Sequence, residues 1–173
     1  MQFKPHAIIL AVVEALHQRH SWTGKTHVQK TISLLNDKGK MAIPFRFVLY
    51  RHGPYSFDLE AELEQMKSYG ALDIDLNTQG YGVILRPGSN AGFVREKGKL
   101  SLEEMKAIDD VCDFVKDSNI WILERLATAS WIRVQEGITE RESVARRLNS
   151  LKPHISIEEA KEADAQVEAW LAR

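Results

Sequence analysis

The chain has one cysteine, Cys112, and no apolar run long enough to cross a bilayer. A single thiol excludes an intramolecular disulfide and the multi-cysteine zinc sites. The apolar stretch after Pro5 is broken by Glu14 and is too short for a transmembrane span. No small-residue cleavage site follows it, so the expected location is the cytoplasm. A complete phosphate loop is also missing. Gly24-Lys25-Thr26 ends like one, but Arg19 stands where the first glycine is needed, and a helix rather than a strand leads in. His17 and His20 have the spacing of a metal pair on a helix, yet the sequence places no third ligand near them. No metal and no cofactor are expected.

Net charge is nearly absent as well, at −1 over 173 residues, but its distribution is uneven. Residues 1–55 carry eight Lys and Arg against Glu14 and Asp37, an excess of +6, and the remainder carries −7. Such asymmetry fits an acidic partner for the front, or two halves that face each other, or simply a mixed solvated surface. A chain of this length buries enough apolar surface to fold without a metal or disulfide staple.

What is present is periodicity. Pro5 opens a first helix with Ile8, Ile9, Val12, Val13 and Leu16 at helical spacing. Thr26 and Gln29 read as a capping box for a second helix bearing Val28, Ile32 and Leu35. Phe45, Phe47 and Leu49 alternate with Arg46, Val48 and Tyr50, which predicts a strand with one buried face. Gly53-Pro54 predicts a turn, and a third helix follows with Leu59, Leu63 and Met66 inward. Alternation over 72–76 and 81–85 about Asn77–Gly80 predicts a hairpin, and 87–99 reads as a loop. The back half predicts helices near 102–115, 119–136, 140–149 and after Pro153. Capping boxes are expected at Ser101/Glu104, Thr139/Glu142 and Ser156/Glu159. The expected fold class is α+β, mostly helical. A winged-helix-like unit over 1–90 would carry a helical extension over 91–173 packed on it, the two forming one compact domain.

Cys112 lies in the apolar stripe Leu102, Met105, Ile108, Cys112, Val115, flanked by Asp109, Asp110 and Asp113, so a buried and inert thiol is expected. The four tryptophans are most simply core. The densest chemistry is Tyr50-Arg51-His52-Gly53-Pro54-Tyr55-Ser56 at a strand-to-helix junction. His52 is a candidate acid or base, and a helix N-terminus beyond it suits an anion. No paired carboxylate, second histidine or oxyanion glycines accompany it, so no catalytic residue is assigned. Arg46, Tyr50, Arg51, His52, Tyr55 and Ser56 form the candidate binding surface. In the structural alternative Gly-Pro makes the turn, Ser56 caps the helix and the tyrosines pack on the first helix.

Three stretches carry a family resemblance. Thr26-His27-Val28-Gln29-Lys30-Thr31-Ile32-Ser33-Leu34-Leu35 resembles the Leu-Gln-Lys-Leu-type second helix of the YwgA-like and SocA-like (Panacea) proteins. The segment Phe47 to Leu59, centred on His52-Gly53-Pro54-Tyr55-Ser56, resembles their aromatic-x-Gly-Pro signature. Leu151-Lys152-Pro153-His154, followed by Glu158-Glu159-Ala160, is similar to their closing Lys-Pro helix. The resemblance implies a bacterial winged-helix-like fold acting as an antitoxin or proteolytic adaptor through protein contacts. His52 stands where the SocA-like proteins usually have the tyrosine of Tyr-Gly-Pro.

Two function classes follow. In a DNA-binding winged helix the third helix enters the major groove. Here that helix exposes Asp58, Glu60, Glu62 and Glu64 against Lys67, which opposes a polyanion. DNA contact would fall to Lys25, Lys30, Lys38 and Lys40 in the basic front. The leading expectation is a non-enzymatic regulatory or protein-interaction module whose partner presents a basic surface. An enzyme or anion-binding protein centred on His52 is the remaining alternative.

Overall fold

The most apolar segment of the sequence is the centre of the computed structural model, which describes residues 3–76 and 82–173. Helix α1 (Phe3–Gln18) is buried without a break from His6 to Val13, and again at Ala15 and Leu16. A helix that is apolar on every side must be enclosed. Around it pack α2 (Lys25–Lys38), α3 (Phe57–Ser68), α4 (Ala91–Gly98) and α5 (Leu102–Val115). The segment expected as a loop over 87–99 therefore contains a helix. It escapes sequence reading because α4 is short, holds two glycines and has no side-chain cap bond at Asn90. Gly98 is what lets it dock: a Cβ there would collide with Ala7 and the Phe3 carbonyl.

Two antiparallel hairpins complete the front half. Strand β1 (Val48–Tyr50) pairs with β2 (Gly53–Tyr55), and β3 (Leu72–Leu76) pairs with β4 (Val83–Pro87). The expected turn Asn77–Gly80, and Tyr81, lie outside the described residues. Only the last half of the expected 45–50 strand is paired. Phe45 and Phe47 are buried as anticipated, in extended chain that has no strand partner. Gly53-Pro54 is a strand rather than a turn, since the reversal is made by Arg51 and His52. Proline is tolerated because this strand belongs to a two-stranded sheet with open edges. Strand β4 is hooked to the segment before α2, where Thr23 Oγ1 donates to the Leu85 carbonyl and Leu85 N–H to the Thr23 carbonyl.

Helices α6 (Ile120–Val134), α7 (Arg141–Leu151) and α8 (Ile157–Leu171) make the rest. Leu123 and Ala127 of α6 join the core around α1, whereas Leu126, Ala129 and Ile132 join a second core with α7 and α8. One helix thus serves both cores, and it also packs on α2 and β2. The ends behave unevenly. Ser101/Glu104 and Ser156/Glu159 form the expected capping boxes, and Ser56 caps α3. The other two boxes do not form. Gly24 precedes α2 with no side-chain cap bond, and Glu140, not Thr139, caps α7.

The α5 stripe is shifted by part of a turn. Leu102 and Met105 are exposed, while Ala107, Ile108, Val111, Cys112 and Val115 face inward. Trp170 is buried and stacks on Phe114, but Trp121 is 61% exposed, against the expectation that all four tryptophans are core. Burial pushes the Cys112 thiol up to about 12, with Asp109 and Asp113 adding to the effect and Arg19 opposing it. Native protein at neutral pH should therefore react with a thiol reagent only as fast as it unfolds, and denaturant should release one full equivalent. Rapid stoichiometric labelling without denaturant would contradict this. Among the described residues no helix is long and apolar enough to cross a membrane, and no group of three potential metal ligands is gathered.

Candidate functional site

A cleft of about 290 Å³ opens between the first turns of α2 and the β1–β2 hairpin. Helix α2 contributes Lys25, Thr26, Gln29 and Lys30, the hairpin Tyr50, His52, Gly53 and Tyr55, and α3 Glu60. Four of the sequence-derived candidates, Tyr50, His52, Tyr55 and Lys25, therefore meet in one place, with Lys30 on the floor. Arg46 and Arg51 are exposed but do not line the cleft. Ser56 is fully buried and acts through the cap of α3, its hydroxyl accepting from Leu59 N–H.

What holds the hairpin is a set of buried polar side chains from distant parts of the chain. Gln29 behaves like a strand: its Nε2 donates to the Ser56 carbonyl at 2.9 Å, and its Oε1 accepts from Ser56 N–H at 3.0 Å. Lys30 donates to the Pro54 carbonyl at 2.7 Å. Lys152, from beyond α7, donates to the Arg51 carbonyl and lies 3.1 Å from Glu124 Oε1 of α6, an ion pair without hydrogen-bond geometry. Lys30, Lys152 and Glu124 are each no more than 5% exposed. Thr128 of α6 lies beneath Gly53, its hydroxyl buried and without a hydrogen-bond partner among the described residues. Two lysines and one carboxylate under one hairpin make a local cation excess. Burial lowers the Lys30 ammonium to about 8, with Glu124 opposing and Lys152 adding to the shift.

That displacement has a measurable sign. Between pH 8 and the ordinary lysine range near 10.5 the unfolded chain holds a proton that the folded chain has released. Stability from this group is therefore fully present only above the upper value and declines as pH falls toward 8. Urea unfolding of the native protein should show stability rising with pH across that window relative to Lys30→Met. Parallel pH profiles for the two proteins would rule the assignment out.

Outside the clamp the surface is aromatic. The rings of Tyr50, Tyr55 and Phe57 form a closed triangle with centroids 5.0 to 5.7 Å apart. Tyr50 and Phe57 are 49% and 59% exposed. The tyrosines therefore pack on each other and on Phe57. On the other side of the hairpin tip, exposed His154 meets the exposed ring of Trp121 edge-on. Residues 152–154 reach this rim because Lys152 is tied to Arg51.

The cationic front is largely engaged internally. Lys25 bridges Glu60, at 2.6 Å, and Glu64; burial works against its ammonium, but those two carboxylates leave its pKa raised. Lys25 and then Lys67 hold Glu64 down at about 2. Lys38 is half-buried, its side chain lying over the Trp170 ring and donating to the Trp170 carbonyl, and Lys30 is buried on the floor of the cleft. Lys40 alone of the four is exposed and has no ion pair among the described residues. The acidic third helix is correspondingly less bare than expected, since His6 meets Glu62, and Lys25 and Lys67 meet Glu60 and Glu64. His17 and His20 are exposed.

Sequence reasoning missed Glu124, Thr128 and Trp121. A Trp121, Glu124, Thr128 spacing of i, i+3, i+7 marks one helical face, the signal that was there to be read. No protein-family model matches the chain, and comparison with curated proteins gives no significant match.

Proposed function

We propose that the chain is a non-enzymatic protein-interaction module that presents the β1–β2 hairpin and its aromatic rim to a partner protein. The observation that carries this reading is the exposed Tyr50–Tyr55–Phe57 cluster standing on a buried polar clamp. Tyrosine, tryptophan and arginine dominate the energetics of protein interfaces, and a rigid support lowers the ordering cost of binding. Tyr50 and Arg51 supply such side chains on the hairpin, and Trp121 is exposed beside His154. The reading extends to a winged-helix variant of the YwgA-like and SocA-like type. In its support, the stretches that carry the resemblance converge on one hairpin: Gln29 bonds Ser56, Lys30 bonds Pro54 and Lys152 bonds Arg51. A bacterial regulatory role of the antitoxin or adaptor kind fits a surface built for contact with another protein.

DNA binding is the second reading, favoured only by exposed Lys40, Arg46 and Arg51. Nucleic-acid affinity rests on cations free to reach phosphates, and Lys25, Lys30 and Lys38 are committed to intramolecular partners. The two readings separate on an affinity column made with the protein and with its Tyr50→Ser/Phe57→Ser variant. A partner protein retained through nuclease treatment and lost by at least about tenfold on the double change is expected, the size of a typical interface hot spot. Retention that is nuclease-sensitive, or indifferent to the double change, would reject the proposal.

A further inference from the structure

The cleft beside the aromatic rim has more to say about the partner than the rim itself. Its volume, about 290 Å³, falls at the bottom of the range for small-molecule sites, roughly 300–1,000 Å³, and suits one large side chain. The rings of Tyr50 and Tyr55 line it, and the polar side chains at its floor each have a partner within the chain. Gln29 is bonded to both backbone groups of Ser56, and Lys30 donates to Pro54. An apolar group can therefore fill the space above them without breaking a hydrogen bond, which is the condition under which burial of apolar area is favourable.

The mouth is different. Glu60 and Glu64 stand there one turn apart, bridged by this chain's own Lys25, about a third exposed, while Lys67 holds the other oxygen of Glu64. A lysine ammonium is a point charge, whereas a guanidinium matches carboxylates with two parallel donors.

Resting on the interaction reading above, we infer that the cleft receives an aromatic or large aliphatic side chain of the partner, with an adjacent arginine that displaces Lys25 from Glu60 and Glu64. Lys25 then serves as the built-in occupant of the site in the unbound protein. It keeps the two carboxylates compensated and sets the threshold that an incoming cation has to exceed. A partner segment with an acidic residue in that place meets Glu60 and Glu64 and is disfavoured.

The test uses three blocked tetrapeptides, Ala-Trp-Arg-Ala, Ala-Trp-Glu-Ala and Ala-Ala-Arg-Ala, titrated into the isotopically labelled full chain at low salt. Backbone amide shifts are the readout. The Trp-Arg peptide is expected to move the amides of Thr26, Gly53 and Tyr55 and to bind about fivefold tighter than either control, as one partly exposed ion pair or one buried ring allows. Lys25→Met should tighten the Trp-Arg peptide further, and Glu60→Gln/Glu64→Gln should erase its advantage over Trp-Glu. Equal binding of the Trp-Glu peptide overturns the arginine, equal binding of Ala-Arg overturns the anchor, and silence at those three amides overturns the cleft as a site. None of these outcomes touches the retention experiment on Tyr50 and Phe57, so failure here is distinct from failure of the interaction reading.

Discussion

Gly53→Ala should cost the protein about 2–5 kcal/mol and lower its melting temperature by roughly 5–15 °C. Gly53 has a φ of +90°, where a side chain is strained whatever the space around it. A Cβ there would also lie 2.8 Å from Thr128 Oγ1, and the clash falls on α6, which both cores hold in place. The two contributions are separable in this chain. Gly39 also has a positive φ, +67°, but nothing lies within 4 Å of where its Cβ would be. Gly39→Ala therefore measures strain alone, and the difference between the two variants measures the collision. Thermal unfolding of both, with loss from Gly53→Ala no larger than from Gly39→Ala, would show that the hairpin has room to move and that the clamp is loose.

The second large effect is electrostatic. Lys152→Met should destabilise by about 3–5 kcal/mol, because it removes the ammonium beside a buried carboxylate and leaves Glu124 with only Lys30 and the more distant imidazole of His154. It also strips the Arg51 carbonyl of its donor. Adding Glu124→Gln should recover more than half of that loss, since the amide has no charge to strand. A double-mutant cycle by urea unfolding reads the coupling directly. Additive losses would mean that the pair is solvated and that the hairpin is held by Gln29 and Lys30 alone. If the docking reading is right, Lys152→Met also weakens partner binding although Lys152 touches no partner.

These two residues show where sequence reading works and where it stops. Leu59, Leu63 and Met66 are inward because spacing along one helix is a local property, and the sequence displays it completely. Ser101 and Ser156 cap their helices for the same reason. Gln29 reads locally as the closing residue of a box with Thr26, but its amide reaches 27 residues ahead to the backbone of Ser56. Lys30 and Lys38 read as solvated cations because a lysine is rarely enclosed. Here carbonyls at Pro54 and Trp170 accept from them, and nothing in the neighbouring sequence announces those partners. At the site, Tyr50, His52 and Tyr55 were legible from their density around a turn. Lys152 is visible only through the family resemblance, because a clamp across 101 residues leaves no periodic trace; the helical spacing of Glu124 with Trp121 and Thr128 marks a face but not the lysine that it meets.

That span also orders events during synthesis. Ribosomes add about 5–20 residues per second, and front segments begin to fold before later ones exist. Helices α1 to α3 and both hairpin strands emerge early, but the group that ties down the Arg51 carbonyl follows 101 residues later. For roughly 5–20 s the nascent chain carries the aromatic rim without its full support. On the proposed reading, the docking face gains its last internal support only after Lys152 has been made, so that face matures later than the hairpin that forms it.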